Sequence, residues 1–249
     1  MTMKANDPSI LGHKWGQEGY YKDVIRCCGS VIFAGADAGD IYYNSAAVPV
    51  MPLPVTAAAV ELVSNSAQDD AVAVGTGAWT CRVHGLDGDY DYVTEDFIMD
   101  GAVAVVGTQL FLRILKLEVL TAGTGESNAG AIDCQAVGGG QVWDEIFAGD
   151  GVSQKSLITV PRNKTFWITT WSFSCNAITG QDYTIWKRRY GGAWHAWIRR
   201  FAILGGPVGE IYPISIAMKV PEKADIKMEV GVLGAATISG CIHGFLTDD

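Results

Sequence analysis

Six carboxylates fall within the stretch GAWTCRVHGLDGDYDYVTEDFIMDG at residues 77–101, gathered around a GLDGD turn. A group this dense can hold a hard cation or supply a general acid and base. Asp87, Asp89 and Asp91 stand at alternate positions, as at the start of a calcium loop, which needs a glycine at its sixth position and a glutamate at its twelfth. Counted from Asp87, those positions hold Tyr92 and Ile98, so the three aspartates are only a weak metal candidate. Glu95 and Asp96 are adjacent, and neighbouring residues of a strand face opposite ways, so they do not converge as an acid/base pair. The expectation is a solvated β-hairpin tip whose Asp and Gly residues supply the turn conformation.

The second constellation is YTIWKRRYGGAWHAWIRRF at 183–201, where basic residues interleave with aromatic ones. Such a pattern can stack single-stranded nucleic acid or sugars. On an acidic chain it is better suited to docking against a copy of itself or an acidic protein partner. The expected interface comprises Trp186, Lys187, Arg188, Arg189, Trp194, Trp197, Arg199 and Arg200, with Trp186, Trp194 and Trp197 as the stacking platform of a carbohydrate-binding alternative. No GxSxG, HExxH or P-loop is present, and GTG at 75–77 and GTGESNAG at 123–130 lack the βαβ setting that would give their glycines a phosphate to cradle. The four histidines, at 13, 84, 195 and 243, are not at metal-ligand spacing to one another. No catalytic residue and no cofactor is expected. A hydrolase with a triad assembled from distant loops has no positive support.

These groups sit in a chain of 249 residues that is 49% hydrophobic, enough for a sizeable core. Lys and Arg total 18 against 27 Asp and Glu, a formal charge of −9 that argues against duplex DNA or an anionic membrane surface as partner. The N-terminus has no apolar segment of signal-peptide length, and no window reaches the ~18 apolar residues of a membrane helix. The cysteines at 27, 28, 81, 134, 175 and 241 form no CxxC pair and are expected to be buried thiols in a reducing compartment.

Thirty glycines and eight prolines punctuate short runs rich in Val, Ile, Thr and aromatic residues, without apolar spacing at helical period. That predicts an all-β protein. Strands are expected at 24–34, 60–64, 79–84, 92–99, 110–121, 156–160, 165–174, 183–190, 194–203, 211–220, 226–232 and 238–245. Trp79, Cys81 and Val83 share one face in that scheme. The expected organisation is an N-terminal arm at 1–23, a first β-sandwich or jelly-roll-like lobe at 24–134 and a second at 135–249.

Four segments carry a resemblance: AVELVSNSAQDDAVAVGTGAWTCRVHGLDGDYDYVTEDFIMDG, FLRILKLEVLTAGTGESNAGAI, KSLITVPRNKTFWIT and PEKADIKMEV, together spanning about residues 58–232. In order and content they resemble a group of tailed-bacteriophage virion structural proteins. The resemblance implies a non-enzymatic particle component, assembled in the bacterial host cytoplasm and located in the virion. As a head decoration or cement protein it would act as a homo-oligomer, such as a trimer, bound to the major capsid protein or other virion proteins. A tail, neck or baseplate adaptor is the alternative within the same class.

Overall fold

The structure is a computed structural model, and it describes residues 24–42, 52–176, 181–189, 191–202 and 208–248. The expected arm at 1–23 lies outside the described residues. Among those described the chain is all-β, with sixteen strands and antiparallel pairing throughout. No helix there is long and apolar enough to cross a membrane.

Two compact units divide the chain at positions other than those expected: one comprises Met1–Ile41 with Ser156–Asp249, the other Tyr42–Lys155. The reason lies in pairing between distant segments. β1 (Val24–Phe33) runs antiparallel to β16 (Ala236–Asp248) from Val24↔Phe245 to Phe33↔Ala236, which places the first described strand in a sheet with the last. Residue 134, the expected boundary, lies inside β8 (Ile132–Ala136), where Cys134 pairs with Leu62. An isolated bridge between Tyr42 and Lys155 closes the inserted unit where the chain enters and leaves it.

In the discontinuous unit, one sheet has the order β1-β16-β11-β14, with β11 at Lys164–Cys175 and β14 at Val208–Val220. The other has the order β10-β15-β12-β13, with β10 at Leu157–Thr159, β15 at Asp225–Val232, β12 at Gln181–Arg188 and β13 at His195–Ala202; β2 (Asp37–Asp40) extends it alongside β15. Alternation dictates what each strand buries. In DIKMEVGV, Ile226, Met228, Val230 and Val232 turn inward while Lys227 and Glu229 do not. In β11 a bulge between Ile168 and Thr170 shifts the phase, so Phe166 and Ile168 before it and Trp171, Phe173 and Cys175 after it all reach the same core. Both sheets contribute to that core, and Phe173 stacks on Tyr183 of the facing sheet with ring centroids 3.7 Å apart.

The inserted unit also has two sheets around one core. The first has the order β6-β3-β8-β9, where β3 is Val60–Ser64, β6 is Val105–Val106 and β9 is Val142–Ile146; the second has the order β5-β4-β7, where β4 is Ala78–Leu86, β5 is Tyr92–Ile98 and β7 is Arg113–Ala122. Val60, Leu62, Cys81, Val83, Phe97, Leu117, Ile132 and Ile146 meet between them. Trp79 does not join Cys81 and Val83 as expected. The register between β4 and β7 slips on both sides of Thr80, Ala78 takes the core position, and the Trp79 indole N–H donates to the Gly75 carbonyl at 2.7 Å.

Candidate functional site

The acidic stretch forms the β4–β5 hairpin, with register Thr80↔Ile98 to Leu86↔Tyr92. At its tip the Asp87 carboxylate accepts from the backbone N–H groups of Asp89 at 2.9 Å and Asp91 at 3.0 Å, while the Tyr90 N–H donates to the Asp87 carbonyl at 3.0 Å. Tyr90 sits in the left-handed region at φ 69° with its ring buried. Asp87 therefore holds the turn together, which is the side-chain-to-backbone bonding that makes Asp a turn residue. The carboxylates further along the hairpin are engaged separately. Asp96 receives a two-pronged bond from Arg82, at 2.5 and 2.8 Å, and that guanidinium holds the Asp96 carboxyl below its ordinary range. Glu95 accepts from the N–H groups of Thr108 at 2.7 Å and Gln109 at 3.2 Å. His84 lies between the Tyr92 hydroxyl and Glu118, the latter at 2.7 Å, and Lys116 closes on the same Glu118. Burial raises the Glu118 carboxyl, but the bonds from Lys116 and His84 outweigh it and leave the group below its usual value.

The glycine-rich loops have an equally structural use, centred on a residue the sequence did not single out. Asp69 is fully buried, and its carboxylate accepts from the Ser64 hydroxyl at 2.6 Å and from the N–H groups of Ala78, Ala129 and Gly130 at 2.7, 2.7 and 2.9 Å. It joins the GTGA segment to the NAGA segment. A Cβ at Gly77 would lie 2.1 Å from the Asp69 carboxylate, and one at Gly123 would lie 2.3 Å from the Gly75 carbonyl. These glycines are small because two loops and a carboxylate meet there, not because a phosphate does.

The basic and aromatic segment forms the β12–β13 hairpin in the discontinuous unit, with register Gln181↔Ala202 to Lys187↔His195. Its cations are largely matched from within. Arg188 donates to Asp225 at 2.6 Å and lies 4.7 Å from the Trp194 ring centroid. Lys227 of β15 approaches the same ring at 5.2 Å and pairs with the buried Asp40. Lys187 sits 4.3 Å over Trp197; burial depresses its ammonium pKa, and Arg189 adds to that. Arg189 is exposed next to the turn. The side chains of Arg199 and Arg200, on β13, lie outside the described set. The three tryptophans are held differently: Trp197 packs partly on the core, Trp194 is bracketed by cations, and Trp186 lines a shallow trough with Asp182, Thr184 and Glu229. The Trp186 indole N–H is buried without a hydrogen-bond partner.

Sequence patterning placed this hairpin but missed the two strand edges beside it. β13 ends one sheet and β14 ends the other. β1 and β10, at the opposite ends of the two sheets, lie against each other. Along β14, which pairs only with β11 among the described strands, Ile211 is 73% exposed and Ile216 is 82% exposed.

One expectation is corrected here: Cys28 and Cys241 are joined by a disulfide. They are direct cross-strand partners, Cα–Cα 4.1 Å, so both sulfurs leave the sheet on the same side. Cys81, Cys134 and Cys175 are buried thiols as expected, and Cys27 is half-buried. Burial, with the Asp69 charge adding to it, pushes the Cys81 thiol up to about 12, so it is unreactive at neutral pH.

No protein-family model matches the chain, and no curated protein matches it in sequence. Among solved structures, one similar chain comes from the structure of infectious bursal disease virus, Gt strain. It is 8% identical, with a TM-score of 0.23, over 92% of this chain and 73% of that one. A likeness that distant carries no argument about function.

Proposed function

We propose that this protein is a non-enzymatic structural component of a tailed-phage virion, a head decoration protein that stabilises the shell through contacts between its own copies and with neighbouring shell proteins. The observation that carries this reading is that β13 and β14 each end a sheet among the described strands, with exposed isoleucines on β14. A long edge strand offers unpaired backbone groups to another chain, and soluble proteins ordinarily blunt it with charge, bulges or a cover. β14 runs for 13 residues with a proline at 213 and a register shift between Pro213 and Met218, yet it keeps Ile211 and Ile216 exposed. That combination suits strand-to-strand assembly followed by burial of the isoleucines.

The strand order of the discontinuous unit supports the same reading. Taken in chain order with β2 set aside, its strands β1 and β10–β16 are first to eighth, and the sheets read 1-8-3-6 and 2-7-4-5. First pairs with eighth, second with seventh, third with sixth and fourth with fifth, as in one long antiparallel hairpin rolled into two sheets. We read this order as a jelly roll, an architecture used by viral capsid proteins and also by lectins and cupins, so it supports a shell role without specifying one. The inserted unit occupies the connection between the first two of these strands and carries most of the residues that resemble virion proteins.

Sedimentation of the purified chain tests assembly. A defined oligomer is expected, and Ile211→Lys with Ile216→Lys should convert it to monomer while preserving the strand signature in circular dichroism. A wild-type chain that stays monomeric at all concentrations would remove the basis for this reading. A glycan-binding module is the second reading, drawn from the trough at Trp186. It requires glycan binding that disappears on Trp186→Ala.

A further inference from the structure

The outward face of β16 carries a group of residues that plays no part in the proposed assembly. Cys241 and His243 stand two apart on that strand and therefore share a face, and Cys28 of β1 is the direct cross-strand partner of Cys241. The two sulfurs and an imidazole nitrogen all lie within 4.8 Å of one another, and all three residues are half-buried. β11 places Ser172 beside Cys241 and Thr170 beside His243, and β1 places Arg26 opposite His243. Cys27, one residue earlier, packs towards the core on the other face and is not part of the group.

We propose that Cys28, Cys241 and His243 form a site with two chemical states: a disulfide under oxidising conditions and, once reduced, a three-ligand site for a thiophilic divalent cation such as zinc. Two thiolates and one imidazole are a borderline-soft donor set that favours zinc over calcium or magnesium. Tetrahedral zinc has bonds of about 2.3 Å to sulfur and 2.0–2.1 Å to nitrogen, which set the two sulfurs about 3.8 Å apart. Directly opposed cysteines reach that separation by side-chain rotation alone once their bond is opened. With three protein ligands, the fourth position is left to water or an incoming group. Opening the disulfide takes two electrons and two protons from a dithiol reductant, which becomes a disulfide itself. The cation then displaces the two thiol protons to solvent. The two states exclude each other, since a sulfur in a disulfide is no thiolate ligand.

Cobalt(II), a spectroscopic stand-in for zinc, tests this directly. The intact chain is reduced with dithiothreitol, freed of reductant by gel filtration under argon, and titrated with cobalt chloride. One cobalt per chain is expected, with thiolate-to-metal charge-transfer bands and the visible bands of tetrahedral coordination, all removed by zinc. The oxidised chain should show none of this. His243→Ala should weaken binding by about tenfold or more, by analogy with the loss seen when residues supporting a metal site are replaced, and Cys27→Ser should leave it unchanged. Binding that is equal in oxidised and reduced chain, that persists in Cys28→Ser, that lacks thiolate bands or that is indifferent to His243→Ala overturns the proposal. So does loss of the strand signature on reduction, because the site requires the paired β1 and β16.

Discussion

At the scale of single residues, buried or backbone-bound carboxylates organise this protein more than exposed ones do. Asp69 satisfies one hydroxyl and three backbone N–H groups at once. Removing an acceptor leaves buried donors without partners, which costs far more than the net value of a single hydrogen bond. Asp69→Ala should lower the unfolding free energy by about 3 kcal/mol or more, measured by denaturant titration, with Asp69→Asn intermediate. Glu61 acts in the same way at the other end of β3, accepting from the N–H groups of Gly138 at 3.0 Å and Gly139 at 2.8 Å and from Gln135 at 2.8 Å. Those bonds, led by Gly138, lower its pKa from 4.5. A depressed folded-state pKa contributes stability that is present above 4.5 and lost as pH falls through the lower folded value. The denaturation midpoint should therefore drop on acidification below 4.5, and Glu61→Gln should flatten that drop. The turn-forming use of Asp87 was legible in the sequence, because GLDGD between two alternating segments has few other conformations. Asp69 was not, since nothing in the pair Asp69-Asp70 says which carboxylate turns inward, and its partners lie 60 residues away or more at Ala129 and Gly130.

At the scale of elements, strand existence was legible and strand phase only partly so. Most expected strands stand within a few residues of their expected ends, including the hairpins at 78–98 and 181–202. Phase failed where a bulge intervened, as at Trp79, because alternation is read along one strand while a bulge is set by the partner. The Cys28–Cys241 bond was missed for the same reason: their pairing is a fact of register across 213 residues, invisible in local spacing. Edges are also invisible to local pattern. Ile211 and Ile216 looked like ordinary strand residues until the sheet order put β14 last. Replacing either isoleucine with lysine should weaken association between copies while leaving the thermal midpoint of the dissociated chain within a few degrees, since neither side chain is buried in the isolated chain.

At the scale of the whole molecule, the chain is two compact units, one of them assembled from both sides of the other in sequence. Two successive lobes were the natural expectation from glycine-rich punctuation near residue 134, yet composition carries no information about which strand closes a sheet. The all-β class followed from residue types, whereas the insertion followed from the ten-residue pairing of β1 with β16. The functional account rests at this scale as well: a two-sheet unit in which β13 and β14 each end a sheet among the described strands. The most direct test of the proposed virion role is the copy number of this chain in purified particles of the phage to which that role would assign it, by quantitative mass spectrometry against the major shell protein. The account predicts a ratio of the same order as the shell protein. A chain present in only a few copies per particle would contradict shell decoration and move it to the tail, and its absence from particles would contradict the virion role altogether.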